Sequence, residues 1–345
     1  MPPPLKKGLL LINLGTPDAP TTPAVRRFLR EFLSDPRVID LQPIARWLLL
    51  NLVILPLRPS RSAAAYAKIW TERGSPLLFH TADLAAKVAQ ELESEFEVEF
   101  AMRYGNPSIR SGVDRLRRKR IQELVALPLY PQRAASSTAS SLSELYRVLG
   151  EPWEVLPLKA GGAFFSEPDF LDAWAQVAAP VLKAARADRV LFSFHGLPER
   201  QVKKSDPSGG HCLASADCCE SLAQATLGCY RAQAFHTARA LAQRLGLPPG
   251  GYEVTFQSRL GRTPWIEPYT DLRLIELAKQ GTRRMAVVCP AFVADCLETV
   301  EEIGIRGRES FLAAGGEELV LVPSLNANPV WVQAVVRMAR RISSK

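Results

Sequence analysis

Two stretches of the sequence carry side chains that could move protons. His195 follows the apolar run 190–194 and precedes Gly196-Leu197-Pro198, which ends a strand. Asp295, Glu298 and Glu302 follow a second apolar run, 284–289 (RMAVVC), at spacings of three and four residues that share one helix face. An imidazole accepts protons near neutral pH, and carboxylates in series pass protons or hold a divalent cation. A purely structural histidine and a solvated acidic helix face are the simpler alternatives.

Four of the six cysteines fall within residues 212–229, in the segment HCLASADCCESLAQATLGC. The paired CxxC knuckles of a zinc site are absent from this segment. Disulfides are disfavoured because no secretion signal is recognisable at the N-terminus. A thiolate-ligated iron–sulfur cluster remains, with His211 as an alternative ligand to one cysteine.

The elements that must position these groups alternate between apolar runs and amphipathic segments. Runs such as 9–14 (LLLINL) and 190–194 predict strands buried on both faces of a parallel sheet. The alternation predicts an α/β protein with two units of similar plan. We expect an N-terminal unit at 1–165, a C-terminal unit at 166–328 with the cysteine insertion at about 206–230, and a closing helix at 329–345.

The composition of the 345 residues, with 47% hydrophobic and 23% charged residues and a net charge of +8, is that of a globular protein. The basic run 115–120 (RLRRKR) predicts a solvated helix face, and no nucleic-acid module accompanies it. The apolar run 47–57 (WLLLNLVILPL) is too short to span a membrane. It predicts either a core helix or a hydrophobic surface at a membrane or ligand.

Ordered blocks along almost the whole chain resemble the ferrochelatase family, whose members insert Fe²⁺ into a porphyrin in the last step of haem synthesis. The blocks include LLLINLGTPDAP, AMRYGNPSI, LPLYPQRAASSTASSL, VLFSFHGLPER, TFQSRLGRTPWIEPYT and CPAFVADCLETVEEIGI. The resemblance implies two Rossmann-like, chelatase-type lobes with parallel sheets and a porphyrin cleft between them.

The resemblance also implies roles for individual residues. His195 and Glu298 match the catalytic pair and would bind the substrate Fe²⁺, and Glu302 and Asp295 would form a proton or metal path. The residues implied to contact the porphyrin are Leu14, Arg103, Tyr104, Tyr130 and Ser258.

Three departures from the family pattern refine these expectations. Cys296 stands where many relatives have histidine, and its thiol either binds a soft metal or packs. Leu14 stands before Gly15 where coproporphyrin-using relatives have tyrosine, which favours protoporphyrin IX over coproporphyrin III as substrate. Some bacterial members bind a [2Fe–2S] cluster through an internal four-cysteine insertion, which implies that Cys212, Cys218, Cys219 and Cys229 do so here.

Two alternatives to this function stay open at this stage: a chelatase for cobalt or another tetrapyrrole, and an iron- or redox-sensing protein on a chelatase fold. We expect a cytoplasmic protein, with peripheral contact to the inner membrane through residues 47–57 as a hypothesis. We expect a monomer or homodimer and no nucleic-acid partner.

Overall fold

The computed structural model describes residues 6–344 except residues 216, 221, 223–225 and 262. The chain divides into two compact units. The first comprises Met1–Tyr130, Ala134–Ala163 and Asn326–Lys345, and the second comprises Pro131–Arg133 and Phe164–Leu325. Within the described residues, each unit contains one sheet of four parallel strands. The predicted α/β fold class is therefore confirmed.

The strands of the first unit are β1 (Lys7–Thr16), β2 (Phe96–Gly105), β3 (Leu124–Pro128) and β4 (Leu158–Ala160). They lie in the order β2-β1-β3-β4. Residues 9–12 of the central strand β1 have no exposed surface, because helices cover the sheet on both faces.

The α-helices of this unit before residue 150 are α1 (Thr22–Ser34), α2 (Pro43–Leu48), α3 (Leu55–Leu57), α4 (Pro59–Ile69), α5 (Pro76–Glu91), α6 (Ile109–Arg118) and α7 (Ser140–Leu149). Two π-helices, Leu49–Ile54 and Ala135–Ala139, join α2 to α3 and lead into α7. The basic run 115–120 overlaps the last turn of α6, where cations favourably meet the helix dipole.

The apolar run 47–57 does not form one core helix. It spans the end of α2, a π-helix and α3, and only its inner side packs, through Leu50, Ile54 and Leu55. The opposite side, which we call the 43–57 surface, leaves apolar side chains in solvent, namely Ile44, Trp47, Leu48, Leu52, Val53 and Leu57. The hydrophobic-surface alternative is the correct one.

The strands of the second unit are β5 (Arg189–His195), β6 (Tyr252–Gln257), β7 (Arg284–Val288) and β8 (Glu318–Leu321), in the order β6-β5-β7-β8. Its helices are α8 (Pro168–Ala185), α9 (Glu199–Lys204), α10 (Tyr230–Arg244), α11 (Thr270–Lys279) and α12 (Arg308–Ala313). A π-helix, Leu297–Gly307, connects β7 to α12, and we call it the acidic π-helix.

The closing helix α13 (Pro329–Ser344) packs against α5, β3 and β4 of the first unit. Near its end, Lys7 Nζ donates to Ser343 Oγ at 2.6 Å and Lys159 Nζ donates to the Ser343 carbonyl at 2.7 Å. The last helix therefore completes the unit in which the chain begins. No helix in the described part of the chain is both long and apolar enough to cross a bilayer.

Candidate active site

His195 and Gln257 lie side by side at the carboxyl edge of the second sheet. β5 ends at His195, β6 ends at Gln257, and the two residues are register partners. The Gly196 amide donates to the Gln257 carbonyl at 2.7 Å and continues the pairing by one residue. The carboxyl edge of a parallel sheet is where ligands bind in α/β proteins, so the predicted strand end places His195 at a site edge.

The imidazole of His195 is held in a defined tautomer. Its Nδ1 lies 2.6 Å from the Gly196 carbonyl oxygen, which can only accept, so Nδ1 carries the hydrogen. In the neutral ring, Nε2 then has the free lone pair. The rings of Trp265 and Phe292 flank the imidazole at centroid distances of 6.4 and 6.3 Å. His195 therefore presents a proton acceptor between two aromatic walls.

The acidic π-helix carries Glu298 and Glu302, four residues apart. Its first turn is capped reciprocally by Cys296 and Thr299, and the Cys296 amide donates to Thr299 Oγ1 at 3.0 Å. π-Helical turns are concentrated at functional sites, and in this one the charges of Glu298 and His195 both affect the Glu302 carboxyl.

Gln257 connects the strand ends to the acidic π-helix. Its Nε2 donates to the Glu298 carbonyl at 2.7 Å and lies 3.5 Å from Glu302 Oε2. Its Oε1 accepts from Ser193 Oγ at 2.7 Å, inside β5. Because Gln257 is 3% exposed, these bonds are formed in the interior and fix Glu298 and Glu302 relative to β5.

Glu302 is half-buried and bound by Ser258, whose φ of +67° turns its amide and hydroxyl toward the carboxylate. The Ser258 amide donates to Oε1 at 2.8 Å and its hydroxyl donates to Oε2. Burial raises the pKa of Glu302, and the charge of Glu298 raises it further, against opposing effects of Ser258 and His195. A carboxyl with a raised pKa can accept and release protons closer to neutral pH.

Asp295 does not share the helix face of the two glutamates. The acidic π-helix begins at Leu297, and Asp295 lies before its extended cap residue. Its Oδ1 accepts from the Ser324 amide at 3.1 Å, which ties the preceding loop to the segment after β8. Cys296 is buried, and burial together with Glu298 raises the pKa of its thiol. In this structure the Cys296 side chain caps the first turn of the acidic π-helix.

In the first unit, Arg103 and Tyr104 converge on a carboxylate that the sequence analysis missed. Asp35 Oδ2 accepts from the Arg103 guanidinium at 2.9 Å, the Tyr104 hydroxyl at 2.9 Å and the Ser140 hydroxyl at 2.5 Å. Its Oδ1 accepts from the Arg37 amide at 2.7 Å. Burial alone would raise the pKa of Asp35, but these four donors hold it below its usual value.

These bonds limit which of the expected porphyrin contacts are available. Tyr104 has no exposed surface, and Tyr130 is buried with its hydroxyl 3.1 Å from Ser141 Oγ. Both side chains are therefore held inside the first unit in this structure. Arg103 keeps 15% of its side chain exposed, and Leu14 is half-buried.

Gly15 lies near the end of β1, at a position where no side chain fits. Its φ is +118°, and a Cβ there would lie 1.8 Å from the Tyr104 carbonyl oxygen. Only glycine allows β1 and β2 to approach this closely at their carboxyl ends. The conformation of Gly15 therefore fixes where the neighbouring Leu14 lies.

The four clustered cysteines lie in the second unit, and Cys229 is the cap residue of α10. Cys212, Cys219 and Cys229 are buried, and Cys218 Sγ lies 3.7 Å from Cys219 Sγ. Hydrogen bonding from Cys219, helped by Cys212 and by amides at the start of α10, lowers the pKa of Cys229 to about 6 despite its burial. The thiol of Cys229 is therefore more acidic than an ordinary cysteine thiol.

Asp206 organises the loop that leads into Cys212. Its carboxylate accepts from the amides of Cys212 and His211, each at 2.8 Å, and from the Ser208 hydroxyl at 2.7 Å. These bonds hold the pKa of Asp206 well below its usual range. Among the described residues, no three His, Cys, Asp or Glu side chains are arranged to hold a single metal ion.

Sequence reasoning missed three residues that organise these sites. Asp35 binds partners 68 and 105 positions away, so no local pattern identifies it. Gln257 stands inside a quoted family block but has no charge to attract attention. Tyr230 donates from its hydroxyl to the His195 carbonyl at 2.8 Å, across 35 positions of sequence.

Comparison with known proteins supports the same assignment of these segments. A family model described as Ferrochelatase matches residues 6–342. A ferrochelatase of Coxiella burnetii (strain CbuK_Q154) is 47% identical over 336 residues, covering 97% of this chain and 94% of the relative. A ferrochelatase of Azotobacter vinelandii (strain DJ / ATCC BAA-1303) is 50% identical over 333 residues, covering 96% and 98%.

Solved structures that resemble the chain are similar in fold alone. SirB from Bacillus subtilis with Fe³⁺ superposes with a TM-score of 0.53 at 13% identity, covering 99% of this chain and 96% of that one. CbiX, described as the terminal enzyme for biosynthesis of sirohaem in denitrifying bacteria, superposes with a TM-score of 0.50 at 13% identity, covering 97% and 99%.

Proposed function

The chain belongs to the ferrochelatase family, and we propose that this chelatase inserts Fe²⁺ into protoporphyrin IX with release of two protons. The observation that supports the proposal is that Gln257, the register partner of His195, donates to the Glu298 carbonyl and lies 3.5 Å from Glu302 Oε2, at one edge of the second sheet. The first test is the formation of metalloporphyrin from protoporphyrin IX and Fe²⁺ by the purified protein.

His195 has the role of proton acceptor in this proposal. Metal insertion requires that two pyrrole N–H groups lose their protons, and a neutral imidazole with a free Nε2 is suited to accept one. The hydrogen bond from Nδ1 to the Gly196 carbonyl stabilises the imidazolium that forms. While its Nε2 is unprotonated, His195 can instead bind the incoming Fe²⁺ together with Glu298, because an imidazolium has no free lone pair.

Glu302 has the role of carrying protons away from the reacting centre. Its raised pKa allows it to accept a proton from Glu298 or His195 and to hold it as a neutral carboxylic acid. The Ser258 hydroxyl, which bonds to Oε2, can donate or accept as the protonation state changes. Asp295, whose Oδ1 accepts from the Ser324 amide, stays a proposed member of the proton or metal path.

We propose protoporphyrin IX rather than coproporphyrin III as the porphyrin. Leu14, next to Gly15, offers an apolar contact to the vinyl-bearing part of the macrocycle, whereas a tyrosine at this position suits the additional propionate. Among the other expected contacts, we propose that Arg103 and Ser258 touch the porphyrin. Tyr104 and Tyr130 then stabilise the surrounding surface.

Competition between the two porphyrins tests this choice. With Zn²⁺ as a surrogate metal, the wild type is expected to have the higher kcat/KM for protoporphyrin IX, and Leu14→Tyr is expected to shift the ratio toward coproporphyrin III. A wild type that prefers coproporphyrin III contradicts the substrate proposal and leaves the family assignment intact.

The four-cysteine segment fits a [2Fe–2S] cluster. Such a cluster takes two thiolates on each of two irons, so it does not need three ligands around one ion. Three of the four thiols are buried, and the thiolate of Cys229 is already stabilised by Cys219 and Cys212. We propose that Cys212, Cys218, Cys219 and Cys229 hold the cluster, which when bound supplies reversible one-electron chemistry.

Anaerobic purification tests the cluster directly. We expect visible absorption with about two irons and two sulfides per chain. Cys212→Ala is expected to lose the absorption, whereas Cys289→Ala, a buried cysteine outside the segment, keeps it. Stoichiometric zinc without sulfide would replace the cluster with a zinc site.

We propose that the 43–57 surface rests on a lipid bilayer. Ile44, Trp47 and Leu57 are 76%, 59% and 70% exposed, a contiguous apolar area of the kind that marks interaction sites. Exposed Arg58 and Arg61 follow it and can meet anionic headgroups. Co-sedimentation with anionic vesicles is expected for the wild type and not for Trp47→Glu, while equal binding by both contradicts the proposal.

A further inference from the structure

Tyr230 connects the cysteine segment to His195. It directly follows Cys229 and is the first residue of α10. Its side chain is buried, and its hydroxyl donates to the His195 carbonyl oxygen at 2.8 Å. A single residue therefore separates a thiolate of the cysteine cluster from a hydrogen bond to the backbone of the proton acceptor.

This bond fixes a peptide group that orients the imidazole. The peptide between His195 and Gly196 is held at its carbonyl by Tyr230 and at its N–H by the Gln257 carbonyl, at 2.7 Å. The next carbonyl, that of Gly196, accepts the hydrogen of His195 Nδ1. Because a peptide group is planar, fixing both its ends limits the rotation that would carry the Gly196 carbonyl away from the ring.

The position of Tyr230 depends in turn on Cys229. Cys229 is buried as the cap residue of α10, where its amide donates to the Thr226 carbonyl at 2.9 Å and its carbonyl accepts from the Gln233 amide at 3.0 Å. A helix-terminal residue whose neighbour is covalently fixed has little freedom to move, whereas release of that neighbour allows the first turn to fray. Movement of the first turn of α10 would withdraw the Tyr230 hydroxyl.

We propose that Tyr230 is a positioning residue for His195, through which ligation of the four cysteines controls the orientation of the catalytic imidazole. This proposal rests on the proposed function of His195 and of the cysteine segment. Loss of the ligated group thereby lowers turnover without changing any residue that contacts the porphyrin.

Tyr230→Phe tests the positioning role because it removes one hydroxyl and keeps the buried ring. With Zn²⁺ and protoporphyrin IX, we expect kcat to fall roughly tenfold, as small misplacements of catalytic groups do, while the KM for porphyrin stays unchanged. Tyr252→Phe is the matched control, since Tyr252 meets Phe192 edge-to-face at the opposite end of β6, and this variant should leave kcat unchanged. A Tyr230→Phe variant with wild-type kcat, or one that alters only KM, overturns the proposal.

Hydrogen exchange of the peptide 190–200 tests the coupling without relying on activity. Removal of the iron–sulfur group from the wild type is expected to speed exchange at Gly196, whose amide bonds to Gln257. In Tyr230→Phe this exchange is expected to be fast already and to change little on removal. Exchange at Gly196 that does not respond in the wild type contradicts the coupling.

These outcomes separate the inference from the function on which it rests. A wild type that forms no metalloporphyrin contradicts the proposed function. A wild type that is active but carries no iron–sulfur absorption contradicts the coupling, and the kinetics of Tyr230→Phe then decide the positioning role by themselves.

Discussion

Removal of the Asp35 carboxylate is expected to destabilise the first unit strongly. In Asp35→Ala the hydroxyls of Tyr104 and Ser140 lose their acceptor, at about 1 kcal/mol each, and Arg103 loses its ion-pair partner, at about 1.5–3 kcal/mol. The sum is about 3–5 kcal/mol, in the range measured when one member of a buried ion pair is removed. Asp35→Asn keeps an acceptor oxygen and should cost less.

Hydrogen exchange measured by mass spectrometry is the appropriate assay, because it reports local stability without requiring two-state unfolding of the whole chain. The slowest amides of β1, β2 and α7 should exchange roughly 100- to 4,000-fold faster in Asp35→Ala, following the conversion of about 1.4 kcal/mol per tenfold. Asp83→Ala is the control, since its bidentate pair with Arg73 lies on the surface of the same unit and is screened by solvent.

The same carboxylate gives the effect a defined pH dependence. The pKa of folded Asp35 lies below its ordinary value, so the unfolded chain binds the proton more tightly. Its contribution to the free energy of unfolding is therefore present above the ordinary aspartate pKa and is lost as the pH falls through the folded pKa. The difference in exchange between wild type and Asp35→Asn should shrink in acid. A pH-independent difference, or an Asp35→Ala effect no larger than that of Asp83→Ala, would refute this account.

Three further predictions concern single residues. His195→Ala should lower metalloporphyrin formation by about 10²- to 10⁴-fold, the usual contribution of a general base, and full activity in a steady-state assay would remove His195 from the mechanism. The pKa of Glu302 is raised in the folded state, so its contribution to the free energy of unfolding is lost as the pH rises through that folded pKa. Glu302→Gln should therefore have a higher thermal midpoint than the wild type at alkaline pH but not in acid. A difference in midpoint that does not change with pH would contradict this. Gly15→Ala should lower the free energy of unfolding by about 2 kcal/mol or more, because the new Cβ would meet the Tyr104 carbonyl. Gly74→Ala, which is also at positive φ but has open space around it, should lower it less. Equal thermal midpoints for the two variants would contradict the steric argument.

The strands and the ends that carry chemistry could be predicted from the sequence because their signals are local. An unbroken apolar run followed by Gly-Leu-Pro identifies β5 and its terminal His195. The spacing of Glu298 and Glu302 predicts a helix but not its π-helical turns, because such a spacing cannot distinguish i→i+4 from i→i+5 bonding over so short a segment.

The supports of the site could not be predicted, because they depend on contacts between distant residues. No sequence pattern near Asp35 indicates that Ser140 will donate a hydrogen bond to it. The complete burial of Tyr104 could not be predicted either, because it depends on the packing of α1 on β2. The placement of Asp295 outside the acidic helix face depends on the Ser324 amide, which folding brings to it from beyond β8.

The return of α13 to the first unit has a consequence for the order in which the chain can fold during synthesis. Apart from Pro131–Arg133, the second unit is one continuous segment, Phe164–Leu325, so all its residues have emerged before the first unit is complete. Until residues 329–344 leave the ribosome, the faces of α5 and β3 that α13 covers remain exposed. A stop codon ahead of α13 would therefore leave the unit that was synthesised first without its last layer, as a target for chaperones and proteases.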